Sequence, residues 1–326
     1  MTTLADIQPG DVLLFRGKGL IPWAIRLFDG GEVNHAAIAV DGVNLAEAAG
    51  HGLQAAQIAQ AVGSNVFTEV RRMDGLAPEH VIEQANSLVK NGNEYAYHQL
   101  VLLALLAVTR RIPVPWAAKR LIRSALDHAA TALGDLVPTG KTRMICSEFV
   151  YRCYAEAAPP SLIDIQLATV FAAALDGEPP LLDWAMQQGD IEVQLPPLTT
   201  FGPFDIDAAQ AEVEQRIIEY AEDAGLAGTL PEEVVITPTV TFAAPAPQPT
   251  NEDLLGSLAA FGLALQDTAD GAKAPATFGI GSTIGSAALK GAIKGIIDVS
   301  VDANFVTPRD LAKTNSLTTI GRITPS

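Results

Sequence analysis

The order of apolar and polar positions predicts short strands first and helices afterwards. Four short stretches bounded by turn residues are apolar or alternate in polarity, which predicts strands of a small antiparallel sheet over residues 11–15, 36–40, 43–48 and 66–71. Helical spacing then recurs, which predicts helices over residues 78–91, 96–109, 115–132 and 146–157. The last of these helices is stopped by Pro159 and Pro160. The predicted fold class is therefore α+β.

The two halves of the chain differ sharply in charge. The protein has 326 residues and a formal net charge of −16. Residues 1–156 hold 14 basic and 15 acidic residues, whereas the remainder holds 7 basic and 22 acidic residues. Nucleic acid is therefore not an expected partner, because phosphate binding requires a basic surface. In this acidic half, residues 207–224 predict an amphipathic helix, and the Pro-, Thr- and Ala-rich residues 236–250 predict a linker.

Two apolar segments each have two interpretations. The run Leu100–Val108 is too short to span a bilayer, which takes about 20 residues. It is either a buried helix or one wall of an acyl-chain groove. Residues 278–299 are rich in Gly and Ala, with small-residue spacing that favours close helix contact, but Lys290 and Lys294 interrupt them. They form either a packed helical hairpin with residues 252–266 or an interfacial helix that contacts a membrane or a partner surface.

The predicted helix over residues 115–132 carries a basic patch. Lys119, Arg120 and Arg123 lie on it, and Arg110 and Arg111 precede it. The patch is either a solvated helix face or a contact for anionic headgroups or acidic cell-wall material.

Cys146 and His35 are the residues with the clearest chemical potential. Cys146 begins a predicted helix, where the positive end of the helix dipole favours a thiolate. His35 begins a predicted strand 111 residues earlier, where a rigidly held imidazole can pair with the thiolate and move its proton. The alternative for each is a buried structural residue. Cys153, two helical turns after Cys146, is predicted to be core and too distant for a disulfide.

Three sequence blocks resemble the circularly permuted branch of the NlpC-type papain-like superfamily. This branch includes the YiiX-like proteins and relatives of lecithin:retinol acyltransferase. The blocks are Ile7–Phe15, Asn34–Val40 with the following Leu45–Ala48, and Cys146–Val150, which together cover roughly residues 5–156. Papain-type enzymes place the cysteine before the histidine, whereas here the order is reversed.

The resemblance implies a domain organisation. Residues 1–158 are expected to form a permuted papain-like catalytic domain, with a small antiparallel sheet packed on helices. Residues 301–326 resemble the closing segment that follows the nucleophile helix in permuted relatives. Residues 159–300 would then be a large, acidic, mainly helical insertion.

The resemblance also implies roles for individual residues. Cys146 is the expected nucleophile and His35 the general base. Glu47, on the next predicted strand, is expected to orient the imidazole, with His51 as the rival. Tyr95 and Tyr97 either line the substrate cleft or pack in the core. The backbone N–H of Cys146 is expected to contribute to an oxyanion hole.

The expected reaction is hydrolysis through a thioester acyl-enzyme, without a cofactor or a metal. The first interpretation of the substrate is an amide in cell-wall or similar peptides. The second is an ester in membrane phospholipids, as for a phospholipase or acyltransferase. A third hypothesis is a non-catalytic binding or assembly module. The N-terminal residues lack a basic and an apolar segment, so synthesis in a bacterial cytoplasm without a secretory signal is expected, with a dedicated export route and a toxin or effector role left open.

Overall fold

The computed structural model describes most of the chain. The described residues are 2–49, 52–91, 94–95, 99–110, 112, 115–135, 142–165, 181–189, 191–196, 204–233, 247–269, 282–301 and 305–325. Within this part the protein is a mixed α+β structure with a six-stranded antiparallel sheet, which confirms the predicted class.

The strands form one large sheet and two short pairs. The strands are β1 Val12–Arg16, β2 His35–Ala39, β3 Asn44–Ala49, β4 Gly52–Gln57, β5 Phe67–Arg72, β6 Glu94–Tyr95, β7 Thr142–Arg143, β8 Val193–Gln194, β9 Thr283–Ile284 and β10 Thr318–Ile323. The sheet has the order β10-β5-β1-β2-β3-β4. The short pairs are β6 with β7, which is parallel, and β8 with β9, which is antiparallel.

The helices pack on the sheet and on one another. The helices are α1 Leu20–Asp29, α2 Ile58–Ser64, α3 Pro78–Asn91, α4 Gln99–Thr109, α5 Pro115–Gly134, α6 Cys146–Ala155, α7 Leu181–Met186, α8 Ile206–Asp223, α9 Asn251–Ala269, α10 Ser286–Val301 and α11 Pro308–Lys313. None of the helices in the described part combines the length and the apolar character needed to cross a membrane.

Both faces of the large sheet are covered. Along β1 the side chains alternate between two cores, as the two-residue period of a strand requires. Val12 and Leu14 belong to a core that includes the apolar face of α6, and Leu13 and Phe15 belong to a second core that includes Ile58 of α2. The side chains on both faces of this central strand are therefore apolar, which explains why its hydrophobic run is continuous.

Helix α6, which begins at Cys146, is anchored to segments near both ends of the chain. The Tyr154 hydroxyl donates to the carbonyl of Gly10, at 2.5 Å, and thus joins α6 to the turn before β1. The Ser147 hydroxyl donates to the carbonyl of Val306, at 2.6 Å, and joins the start of α6 to the segment before α11. The C-terminal strand β10 then pairs with β5 at the edge of the sheet.

A separate apolar core joins helices from both sides of residue 158. It contains apolar residues of α1, α4 and α5 together with those of α7, α8, α9 and α10. All described residues of α4 from Leu100 to Thr109 are buried, so this run is a core helix. The predicted division into residues 1–158, 159–300 and 301–326 stays a prediction, and the segments on either side of its first boundary share this core.

The two apolar segments in the second half form a closely packed helical pair. A Cβ added at Gly262 of α9 would lie 2.3 Å from the carbonyl oxygen of Ala292 of α10, so only glycine permits this approach. The apolar side chains Leu289, Ile293 and Ile296 of α10 are buried, and Lys290 is exposed. Residues 278–281 lie outside the described residues; from Ser286 onward the apolar face of the segment is used in packing.

The basic patch on α5 is occupied by acidic residues of the same chain. Arg120 pairs with Glu219, at 3.3 Å, and with Asp223, at 3.0 Å, on α8. Arg123 lies 3.5 Å from Asp253 of α9. Arg120 is thus engaged by the acidic half of the chain, whereas the Arg123 side chain is 35% exposed and also lies near Asp127 of α5. Arg111 of the predicted patch lies outside the described residues. The charge imbalance between the halves is thus used in part to hold them together.

Candidate active site

Cys146 is the first residue of α6 and lies at the edge of a cavity. Ile145 precedes it in an extended conformation, so the helix starts abruptly at the thiol. The first N–H groups of a helix have no intrahelical partner and carry the positive end of its dipole. Cys146 is 7% exposed, whereas Cys153 further along α6 is completely buried in the core. Neither cysteine is in a disulfide.

His35 and Glu47 form a close pair on neighbouring strands. His35 Nε2 lies 2.7 Å from Glu47 Oε2. The register explains this contact, because Glu47 is opposite Ala37, which shares a strand face with His35. The Phe15 ring packs against the imidazole, with a centroid separation of 5.7 Å.

A glutamine on the edge strand holds the other oxygen of the carboxylate. Gln54 of β4 is opposite Glu47 of β3, and its Nε2 donates to Glu47 Oε1 at 3.0 Å. A line of side chains therefore runs across four adjacent strands: Phe15, His35, Glu47 and Gln54. Sequence reasoning missed Gln54, because the segment Gly52–Gln57 lacks the β-branched residues that indicate a strand.

The electrostatics of His35 favour its protonated form. Burial of the ring lowers the pKa of His35. The charge of a Cys146 thiolate and its hydrogen bond, together with the hydrogen bond and charge of Glu47, outweigh that effect and raise the pKa to about 10. Because Nε2 is held by Glu47, the other ring nitrogen, Nδ1, is left for the thiol. The arrangement therefore favours a protonated His35 beside Cys146.

Asn34, directly before His35, fixes the loop beside the thiol. Its Oδ1 accepts from the N–H of Gly17, at 2.7 Å, and from Arg26 Nη1, at 3.2 Å. A Cβ on Gly17 would lie 3.1 Å from Asn34 Nδ2, so the loop packs tightly on this amide. Sequence reasoning missed this function of Asn34. Its position beside His35 was the available signal, but the distant Gly17 gave no indication of the contact.

The cavity has a volume of about 390 Å³ and its walls come from both halves of the chain. Cys146 and His35 line it together with the loop Gly17–Gly19. Helix α8 adds Gln210 and Glu214, residues that sequence reasoning did not select. A pocket of this size falls within the usual range for small-molecule and peptide side-chain sites.

The structure brings together Cys146, His35 and Glu47 in the way the sequence analysis expected. Their catalytic roles stay predictions. Tyr97 and the rival His51 lie outside the described residues, and of Tyr95 only the backbone, in β6, is described. The described residues hold no cluster of His, Cys, Asp and Glu arranged to bind a metal ion.

Comparison with known proteins finds a distant similarity. The chain is 30% identical over 163 residues to the "Probable lipoprotein peptidase YaeF" of Escherichia coli (strain K12). The similar region is 48% of this chain and 59% of that relative, so the chain spans less than two thirds of the relative's length. No family model matches the chain. No solved structure matches it significantly.

Proposed function

We propose that the protein is a cysteine hydrolase that cleaves amide bonds in cell-wall or similar peptides through a thioester intermediate. The observation that carries the proposal is the joint geometry of three residues. Cys146 begins a helix and shares a cavity with His35, and His35 Nε2 lies 2.7 Å from Glu47. A thiol nucleophile, an imidazole base and a carboxylate that orients the base are the parts that nucleophilic acyl transfer requires.

The first half-reaction forms the acyl-enzyme. His35 Nδ1 takes the thiol proton, and Cys146 Sγ attacks the carbonyl carbon of the scissile amide. The backbone N–H of Cys146, at the start of α6, would stabilise the developing oxyanion. The C–N bond breaks as His35 returns the proton to the departing amine, and a thioester to Cys146 remains.

The second half-reaction regenerates the thiol. A water molecule gives a proton to His35 and attacks the thioester carbonyl carbon. Collapse of the intermediate breaks the C–S bond and releases a carboxylic acid, and the thiolate regains its imidazolium partner. Glu47, held by Gln54, keeps the imidazole ring oriented through both steps.

The character of the cavity favours a peptide over an acyl chain. Its lining is mixed: Asn65, Gln99, Gln210 and Glu214 offer hydrogen-bonding groups that suit a peptide, whereas Ile21, Leu102 and Ile145 are apolar. The apolar faces of α4 and α10, which the lipid hypothesis assigned to substrate or membrane, are mostly buried against other helices, and of the apolar run of α4 only Leu102 lines the cavity. The similar protein in Escherichia coli carries the name of a probable peptidase, which supports the same choice.

We also propose that the architecture is a permuted one. The strand that bears His35 precedes the helix that bears Cys146. The segment after residue 301 adds α11 and the edge strand β10 to the same sheet. Residues 159–300 would then be an insertion that packs on the catalytic part and supplies one wall of its cavity.

The test is product analysis by mass spectrometry. The protein and its Cys146→Ala variant are incubated with peptidoglycan peptide fragments and, separately, with phospholipid vesicles. Cleavage of the peptides by the unmodified protein and loss of cleavage in Cys146→Ala are expected. Cysteine-dependent release of fatty acid would instead support the lipid hypothesis, and peptide cleavage that survives Cys146→Ala would refute a thiol nucleophile.

Cys153 provides the matched control. Cys153→Ala removes a thiol from the same helix, but this thiol is completely buried and does not line the cavity. Activity is expected to persist in Cys153→Ala. In the same samples, iodoacetamide should alkylate Cys146 first under native conditions. Equal alkylation of both cysteines, without turnover of either substrate, would favour the binding-module hypothesis.

A further inference from the structure

Helix α8 contributes a carboxylate to the cavity that contains Cys146 and His35. Glu214 and Gln210 lie about one turn apart on α8 and both line this cavity. These residues belong to the acidic half of the chain, whereas Cys146, His35 and Glu47 belong to the nearly neutral half. The wall they form can therefore select a substrate without taking part in the bond-breaking steps.

Glu214 has no cationic partner within the described residues, in contrast to three other acidic residues of α8. Glu212 pairs with His128, at 3.1 Å, and Glu219 and Asp223 both pair with Arg120. No hydrogen bond or ion pair joins Glu214 to the described residues. It is half-buried, and burial raises its pKa. A carboxylate in that position lacks the compensation that its neighbours have, and a bound cation would supply it.

The position of Glu214 is held firmly by the surrounding helices. The adjacent Val213 is buried in the helical core, and so is Ile217, one turn later. Tyr220 of α8 packs edge-on against Phe28 of α1, with a centroid separation of 6.0 Å. Beyond the end of α8, the carbonyl of Thr229 accepts a hydrogen bond from Trp23 Nε1 at 2.8 Å. The wall is thus a fixed part of the cavity.

We propose that Glu214 binds a positively charged group of the substrate, such as the primary ammonium of a peptide, beside the bond that Cys146 attacks. This inference deepens the proposed function and rests on it. Lys18, which also lines the cavity, is exposed and forms no ion pair with Glu214 within the described residues. A cationic substrate group therefore meets the half-buried carboxylate without first displacing a protein cation.

The test uses two thiol reagents of opposite charge and does not depend on turnover. Trimethylammonioethyl and sulfonatoethyl methanethiosulfonate each convert a thiolate to a mixed disulfide and release methanesulfinate. Their rates of reaction with Cys146 are measured by intact mass in the full-length protein. Glu214→Gln is expected to lower the ratio of the cationic to the anionic rate by about fivefold or more, because a nearby carboxylate attracts one reagent and repels the other.

Two further variants make the result specific. Glu222→Gln removes the same charge from the same helix at an exposed position outside the cavity, and its ratio is expected to stay within about twofold of the unmodified protein, since exposed charges are screened. Glu214→Asp keeps the charge and is expected to keep most of the cation preference. An unchanged ratio in Glu214→Gln, or an equal change in Glu222→Gln, would overturn the proposal.

A pair of peptides then tests the substrate class. One peptide carries a free N-terminal ammonium and the other an acetylated terminus, and Glu214→Gln is expected to lower kcat/KM for the free peptide about tenfold or more relative to the acetylated one. An equal loss for both peptides would contradict the assignment. If Cys146 reacts with charge selectivity but no peptide is cleaved, the proposed function fails while the charge recognition at Glu214 stands.

Discussion

The sheet region and the helical region of this protein build the same cavity by different physical means. In the sheet region, His35, Glu47 and Gln54 come from three adjacent strands, and strand register sets their separations. In the helical region, α8 and α9 are held against α5 by apolar packing and by ion pairs such as that of Arg120 with Asp223. Backbone hydrogen bonds therefore position the reactive group, and side-chain contacts position the opposite wall.

This difference predicts different consequences of mutation in the two regions. A change in the sheet that preserves the fold can still misplace the imidazole, because transition-state stabilisation depends on sub-ångström geometry. A change in the helical region acts first on stability, because close packing and partly buried ion pairs contribute there. The comparison fails if sheet variants lose stability as much as activity, or if helical variants at positions outside the cavity lose activity without loss of stability.

The largest expected effect is that of Glu47→Gln on hydrolysis. The substitution keeps the side-chain shape but removes the charge that stabilises protonated His35, so a fall in kcat/KM on the order of 10²–10⁴-fold is expected. The pKa of His35, followed by NMR, should fall as well, because Glu47 raises it in the native protein. A glutamate without a role in catalysis would still change this pKa, but Glu47→Gln would then leave kcat/KM nearly unchanged.

Gln54→Ala is a milder perturbation of the same carboxylate and serves as a control for Glu47→Gln. It removes the 3.0 Å hydrogen bond to Glu47 Oε1 but leaves the carboxylate and its contact with His35 in place. A fall in kcat/KM of about tenfold or less is expected, since only the orientation of the carboxylate is loosened. An effect as large as that of Glu47→Gln would assign the main role to the glutamine.

The pH dependence of stability gives the next prediction. The pKa of His35 in the folded protein is raised to about 10, whereas an unfolded histidine has a pKa of about 6.5. The resulting contribution to the free energy of unfolding is fully present below pH 6.5 and is lost as the pH rises through 10. Urea unfolding of the native protein and of Glu47→Gln at pH 6 and pH 9.5 should show a larger alkaline loss for the native protein. Equal losses would contradict the raised pKa.

Most of the sheet, and the candidate residues Cys146 and His35, could be predicted from the sequence. The strands around Leu13, Ile38 and Leu45 are short and apolar between turn residues, and this local signal needs no knowledge of the rest of the fold. Cys146 at a helix start and His35 at a strand start are likewise local features. The distance of His35 from Glu47 follows once β2 and β3 are paired.

The cavity wall formed by α8 could not be predicted from the sequence in the same way. Glu214 follows Val213 on an amphipathic helix, and the pattern predicts which face is buried but not which neighbour buries it. The pairing of Arg120 with Glu219 joins residues on helices that are far apart in the chain, and charge composition alone predicted only that both signs were present. Strand β4 was missed because its residues lack a strand pattern, whereas helix α1 was missed although its apolar positions have helical spacing.

The contact between α9 and α10 gives a strong test of the helical region. Gly262→Ala would place a Cβ 2.3 Å from the carbonyl oxygen of Ala292. This oxygen belongs to the backbone of α10, so relieving the contact requires the two helices to shift. A loss of about 3 kcal/mol in the free energy of unfolding is expected from this overpacking. Iodoacetamide reactivity of Cys146 should stay near that of the native protein at temperatures where the variant is folded. Full stability of Gly262→Ala would mean that the helices do not pack in this way.

Arg120→Ala is expected to have a somewhat smaller effect. The guanidinium contacts Glu219 and Asp223, and its side chain is 11% exposed, so removing it leaves partly buried carboxylates without their cation. A loss of about 2 kcal/mol is expected. A double-mutant cycle with Glu219→Gln isolates the pairwise part, and a coupling energy of zero would show that the arginine contributes through packing of its stem alone.

The smallest expected effect is an increase in the free energy of unfolding. Gly291 lies on the exposed side of α10, and a Cβ added there would meet nothing within 4 Å. Because glycine in a helix interior costs about 0.5–1 kcal/mol relative to alanine, Gly291→Ala should stabilise the protein by that amount, measured by urea unfolding. Gly262→Ala and Gly291→Ala make the same chemical change, the first in the contact between α9 and α10 and the second on the exposed side of α10. If Gly262→Ala lowers the free energy of unfolding and Gly291→Ala raises it, the packed face of the helical pair lies at Gly262. If both variants lower it, the outer face of α10 also has a partner.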